Sequence, residues 1–120
     1  MARPVDLKQL IKLIHDQKDV EAHLILDEGC VIQTEDAAPL VKVINYFMNY
    51  LSGLTDRPLE IALDLMSGSF LLSLMAFTDK QELDELSDNL EGALKDYNAS
   101  FEVKHEQGNY VQIKISFSNN

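Results

Sequence analysis

Apolar residues recur along this chain with two alternating periods, and each change of period marks a new element. Leu7, Leu10, Ile11 and Ile14 stand at helical spacing. Asp6 is placed to cap that stretch and Gln9 to complete a capping box, which predicts a helix over about 6–18. The segment 20–26 (VEAHLIL) and the segment 30–34 (CVIQT) flank Asp27-Glu28-Gly29 and read as two short strands joined by a tight connection. Asp36 is placed to cap a second helix. Its apolar stripe is Leu40, Val43, Ile44, Phe47 and Leu51, while Lys42, Asn45, Asn49 and Ser52 line another face and Gly53 ends it.

Beyond Arg57-Pro58, residues 59–65 alternate strictly between apolar and polar or small positions; Ser67-Gly68 turns the chain and Phe70 to Thr78 returns, a hairpin. Asp79 and Glu82 form a second capping box. A third helix follows from them, with Leu83, Leu86, Leu90, Leu94 and Tyr97 as its stripe and Asn98 as its stop. A last hairpin pairs 101–105 with 110–117 across Gln107-Gly108-Asn109. The order αββαββαββ implies an α/β (α+β) two-layer sandwich, a mostly antiparallel or mixed sheet with helices on one face, in which Phe47 and Leu63 are buried between the layers.

A length of 120 residues suits a single domain over 1–120, and 46% hydrophobic with 25% charged residues is a globular composition. Twenty acidic against ten basic residues give a formal net charge of -10, which repels phosphate backbones and anionic lipid alike. Neither nucleic acid nor a membrane surface is an expected partner. No secretory h-region or membrane-length apolar run is present in the sequence, and the lone Cys30 has no partner for an internal disulfide, which together favour a reduced, cytoplasmic setting. His15, His23 and His105 lie far apart, without metal-ligand spacing.

Taken as a line, Val20 to Leu26, then Val31 to Asp36, then Leu40 to Asn49 resembles the ATPase domain of sensor histidine kinases, of the GHKL or Bergerat fold. Asn45 and Asn49 match the four-residue spacing of that family's N-box, the hairpin 59–78 resembles its next two strands, and Leu94 to Phe117 its closing helix and hairpin. The likeness runs from about Val5 to Phe117. By that resemblance Asn49 would coordinate Mg²⁺ bridging the nucleotide phosphates, as a hard oxygen ligand suits a hard cation, with Asn45 beside it on the same helix face. Asp79 would accept a hydrogen bond from the adenine amino group.

The chain departs from that family's pattern in three places. Asp79-Lys80-Gln81-Glu82-Leu83 keeps the aspartate of the Asp-x-Gly-x-Gly motif and has neither glycine. Where the family has a long glycine-rich lid with phosphate-binding amides, only Lys80 to Asn98 precede the last hairpin. Tyr50 replaces the small residue after the second asparagine, and Ser52 stands at the family's lysine position.

Each feature also has a plain structural reading. Asn45 and Asn49 suit a solvated helix face, Asp79 suits a helix cap, and Cys30 suits a buried or edge position. Tyr46 and Tyr50, four apart on a flank of the second helix, could contact a partner chain. The run Glu82, Asp84, Glu85, Asp88 and Glu91 is either a solvated face or an acidic docking face. His15-Asp16 resembles the phosphoacceptor dipeptide of histidine kinases but lacks the Arg and Pro that follow in that motif.

The expectation is thus a degenerate histidine-kinase-type scaffold serving as a non-catalytic protein-interaction or regulatory module of bacterial signalling. It would need no cofactor and would bind a signalling protein or a second copy of itself, in the latter case as a homodimer. Two alternatives remain open at this stage: a residual Mg-ATP-binding kinase-type enzyme using Asn45, Asn49 and Asp79, and phosphotransfer through His15.

Overall fold

The computed structural model describes residues 1–118, so the last two positions of the domain expected over 1–120 lie outside the described residues. Strand β1 (Arg3–Asp6) runs into helix α1 (Leu7–Asp16), followed by β2 (Ala22–Leu26), β3 (Val31–Thr34), α2 (Ala38–Ser52), β4 (Leu59–Met66), β5 (Ser69–Phe77), α3 (Leu90–Lys95), β6 (Ala99–Glu106) and β7 (Tyr110–Ser118). Five strands form one mixed sheet in the order β2-β4-β5-β7-β6, and β1 with β3 forms a separate two-stranded ribbon.

Strict alternation along the sheet strands builds the core, because successive side chains point to opposite faces. Ile61 and Leu63 of β4, Leu72 and Leu74 of β5, and Ile113 and Ile115 of β7 are all buried on the face the helices cover. Their neighbours Ala62, Ser73 and Lys114 lie on the other face and are only partly covered. Against the inner face α1 buries Leu7, Ile11 and Ile14, and α2 buries Leu40, Val43, Ile44, Phe47, Met48 and Leu51. Phe47 and Leu63 are fully buried, and the Phe47 ring meets Phe101 of β6 at 5.3 Å between centroids. Two-layer packing of this kind is what the pattern implied.

Four features differ from the sequence reading. First, β1 precedes α1, so α1 begins at Leu7 and ends at Asp16 rather than spanning 6–18; the Asp6 carboxylate does cap it, accepting from the Lys8 amide at 3.0 Å. Four residues with a proline carry too little periodicity to announce a strand. Its partner β3 comes from beyond α1 and β2, pairing Val5 with Ile32.

Second, β2 and β3 are not a hairpin. β2 pairs parallel with β4, Leu24 opposite Ile61, while β3 pairs antiparallel with β1. Asp27 fixes the end of β2 to β4 through its amide, which donates to Leu63 O, and its carboxylate, which accepts from Leu65 N at 2.9 Å. Gly29, at φ +90°, then takes the chain away from the sheet, a backbone conformation that costs least at glycine. The buried Cys30 carbonyl accepts from Leu7 N and ties the ribbon to the start of α1.

Third, the expected long helix after β5 is reduced to the six residues of α3. Residues 79–89 form an irregular strap, and Asp79 caps no helix. Leu83 and Leu86 still pack against the core, so the apolar pattern was real, but its burial is met by an irregular backbone whose polar groups bond to neighbouring elements. The helix stops at Lys95 with Asp96 as its C-cap, and Asn98, the expected stop, lies in the turn beyond it, in the left-handed region at φ +53°.

Fourth, Gly53 ends α2 in a right-handed conformation, at φ -71°, so no left-handed cap is formed there. At the other end Asp36 accepts from Ala38 N at 2.9 Å, as expected of a capping aspartate, although Ala37 is the residue at the helix boundary.

Candidate functional site

Helix α2 is fixed at its N-terminus by a group from far along the chain. The buried Tyr97 hydroxyl accepts from Leu40 N at 3.2 Å and donates to Asp36 O at 2.7 Å, supplying one of the partners that a helix start leaves wanting. Burial, more than the nearby Asp36 and Asp96, raises the Tyr97 pKa above that of a free tyrosine, and the bond from Leu40 opposes the shift. α2 in turn carries Asn45, Tyr46, Asn49 and Tyr50.

Asn45 is half-buried, and its side-chain oxygen accepts a hydrogen bond of 2.6 Å from the Lys18 ammonium, in the loop after α1. Asn49, one turn on, is exposed, and its backbone carbonyl accepts from the Ser52 hydroxyl at 3.1 Å. The ammonium of Lys18 therefore takes the side-chain oxygen of Asn45, while Asn49, to which the resemblance would assign the metal, is the exposed one of the two. Nothing in the spacing of the sequence marked Lys18, because 27 residues separate it from Asn45.

Tyr46 and Tyr50 are half-buried and stack on each other, with ring centroids 6.4 Å apart. Each also bonds within the chain: the Tyr46 hydroxyl accepts from Ser87 N at 3.0 Å, and the Tyr50 hydroxyl donates to Asp84 O at 2.8 Å. Two tyrosines one turn apart on α2 thus hold the middle of the strap. Burial raises the Tyr50 pKa first, with Asp84 and Tyr46 adding smaller contributions. The first residues of the strap are held from the last hairpin, where His105 Nε2 donates to Lys80 O at 3.1 Å and the Gln107 amide to Gln81 O at 3.4 Å.

Asp79, at the head of the strap, is exposed. It lines a cavity of about 640 Å³ together with Gly53, Thr55, Arg57, Thr78 and Asn109, between the C-terminal end of α2 and the last hairpin turn. Neither Asn45 nor Asn49 lines it. A second cavity, about 420 Å³, opens between the N-terminal half of α2 and the strap with α3, over Pro39, Val43, Tyr46, Leu90 and Ala93. Asn45 and Asn49 thus stand one turn apart on α2, while Asp79 lines a cavity whose lining includes neither.

His15 lies at the end of α1 and is half-buried, with Nε2 donating to Val20 O at 2.9 Å. Cys30 is fully buried, and desolvation followed by the charges of Asp27, Asp6 and Asp64 raises its thiol pKa above that of a free cysteine. Among the described residues no three His, Cys, Asp or Glu side chains gather as metal ligands, and no helix is long and apolar enough to cross a membrane.

The mixed five-stranded sheet, its one helical layer and the β1-β3 ribbon define the fold of histidine-kinase catalytic domains, the GHKL-type ATPase fold. Histidine kinase AdeS of Acinetobacter baumannii superposes over 100% of this chain and 68% of its own, with a TM-score of 0.75 and 13% identity. The mycobacterial sensor histidine kinase MprB matches over 97% of each chain, with a TM-score of 0.74 and 10% identity. The histidine kinase domain of the E. coli osmosensor EnvZ covers 100% of this chain and 91% of its own, with a TM-score of 0.74 and 7% identity. No family model matches the sequence, and no curated protein matches it significantly.

Proposed function

We propose that the chain is a non-catalytic protein-interaction module of bacterial two-component signalling, which keeps the histidine-kinase ATPase scaffold and engages a signalling protein in the cytoplasm. The observation that carries this reading is the strap. Eleven residues without glycine, Asp79 to Asn89, stand where the resembled family has a glycine-rich nucleotide lid, and they are bonded to α2 through Tyr46 and Tyr50.

Mg²⁺-ATP fits these residues poorly. The Asn45 oxygen is already bonded to an ammonium, Asp79 lines a cavity that neither asparagine enters, and the strap adds carboxylates rather than phosphate-binding amides. Phosphotransfer through His15 gains no support either, because one ring nitrogen is bonded to the Val20 carbonyl and the ring is half-buried.

The test is a titration with ATP and ADP, with and without Mg²⁺, followed by backbone amide NMR. Silence at Asn45, Asn49 and Asp79 is expected. Magnesium-dependent shifts at those residues that disappear in Asn49→Ala, a substitution expected to change stability by no more than about 0.5 kcal/mol, would replace this reading with a nucleotide-binding enzyme.

A further inference from the structure

The cavity of about 420 Å³ between α2 and the strap with α3 has a floor and walls that are mainly apolar, from Pro39, Val43, Tyr46, Leu90 and Ala93. Ala38 and Ala93 keep it open, because neither side chain extends past Cβ. Exposed acidic residues adjoin the lining in sequence. Asp36 lines one side; Asp88 stands between the lining residues Ser87 and Asn89, and Glu91 follows the lining residue Leu90. Asp84 and Glu85 continue the exposed negative charge along the strap, while Lys42 contributes a cation to the lining.

We propose that this groove docks a basic segment of a partner protein, which seats an apolar side chain between α2 and α3 and lays lysines or arginines against the strap carboxylates. The proposal rests on the protein-interaction reading above and names the chemistry of the partner. Asp36 in the lining and the exposed Asp84, Glu85, Asp88 and Glu91 of the adjoining strap and α3 outnumber Lys42, which favours a cationic, amphipathic segment over an anionic ligand, and the overall charge of -10 steers such a segment toward the protein. Burying one apolar anchor in a pocket while charges pair at the rim is how many interfaces divide affinity from specificity. The strap has the geometry for this role, since Tyr46 and Tyr50 hold its backbone and leave its carboxylates in solvent.

The test uses the full chain and a fluorescent peptide of about a dozen residues alternating Lys with Leu or Phe, beside a twin with Glu for Lys and another with Ser for Leu and Phe. The first peptide is expected to bind, to shift the amides of Val43, Ser87 and Leu90, and to weaken about tenfold between about 0.05 and about 0.3 M salt. Both twins are expected to fail. The paired reversal Asp88→Lys with Glu91→Lys, and separately Ala38→Trp, which fills the mouth without touching charge, should each weaken binding about tenfold. The reversal Glu102→Lys with Glu106→Lys on β6 alters net charge equally and should change binding by less than about twofold.

Equal losses from the Asp88/Glu91 and Glu102/Glu106 reversals would mean diffuse attraction and overturn the proposal, as would equal binding of the Glu twin. Self-association that disappears in Ala38→Trp would put a second copy in the groove and overturn the basic partner. Mg-ATP is titrated in parallel: shifts at Asn45, Asn49 and Asp79 would defeat the non-catalytic reading itself, whereas a silent peptide beside silent ATP defeats the docking proposal alone.

Discussion

Tyr97→Phe removes one oxygen atom and tests whether α2 depends on a cap supplied by the far end of the chain. The wild-type hydroxyl makes two hydrogen bonds in a residue that is only 7% exposed. After the substitution Asp36 O, on an exposed residue, can turn to water, but Leu40 N belongs to a fully buried residue and loses its side-chain partner. A net hydrogen bond is worth about 1 kcal/mol and a stranded buried donor costs about 1–3 kcal/mol, so a loss of about 2 kcal/mol is expected. In a domain of this size that lowers Tm by roughly 8 °C. Urea unfolding followed by circular dichroism measures it, with the m-value unchanged because the surface exposed on unfolding is the same. The pH dependence gives a second readout. Since the folded-state pKa of Tyr97 is raised, its contribution is complete below the unfolded value near 10 and is lost as pH rises through the folded value. Tyr97→Phe should therefore lose less stability than wild type on going alkaline. A loss under about 0.5 kcal/mol with an unchanged alkaline profile would refute the capping role.

Three other outcomes follow from the same packing. Replacing both Tyr46 and Tyr50 by Phe should speed amide exchange across the strap by about tenfold or more, by removing two bonds worth about 1 kcal/mol each; unchanged exchange at Ser87 would mean that Leu83 and Leu86 alone hold it. Phe47→Ala should cost about 3–5 kcal/mol in chemical denaturation, and a cost below about 1 kcal/mol would contradict its complete burial. Cys30 should resist a thiol-specific reagent in the native protein and react at once in denaturant, since it is buried and its thiol pKa is raised; rapid native labelling would contradict that.

Local sequence determined the elements whose cause is local. Alternation along 59–65 and 70–78 specified β4 and β5, because a period of two leaves one face to bury. The i, i+3, i+4 stripe from Leu40 to Leu51 specified α2 and put Phe47 on its apolar face. The order of these elements was enough to suggest the histidine-kinase fold, and the two asparagines were legible because four residues is one helical turn.

Tertiary structure decided whatever depends on a partner distant in sequence. Val31 to Thr34 pairs with Arg3 to Asp6 instead of its neighbour β2, because hydrogen bonds fix Asp27 to β4 and Gly29 redirects the chain. Leu83 and Leu86 carried a helical spacing, yet Tyr46, Tyr50, His105 and Gln107 offered the strap backbone other partners, and a buried apolar pattern needs its polar groups satisfied without requiring that a helix satisfy them. Lys18 reached Asn45, and Tyr97 reached Leu40, across 27 and 57 residues. Periodicity reports which face of a segment is buried, whereas the residue that meets each polar group there is chosen only when distant segments pack together.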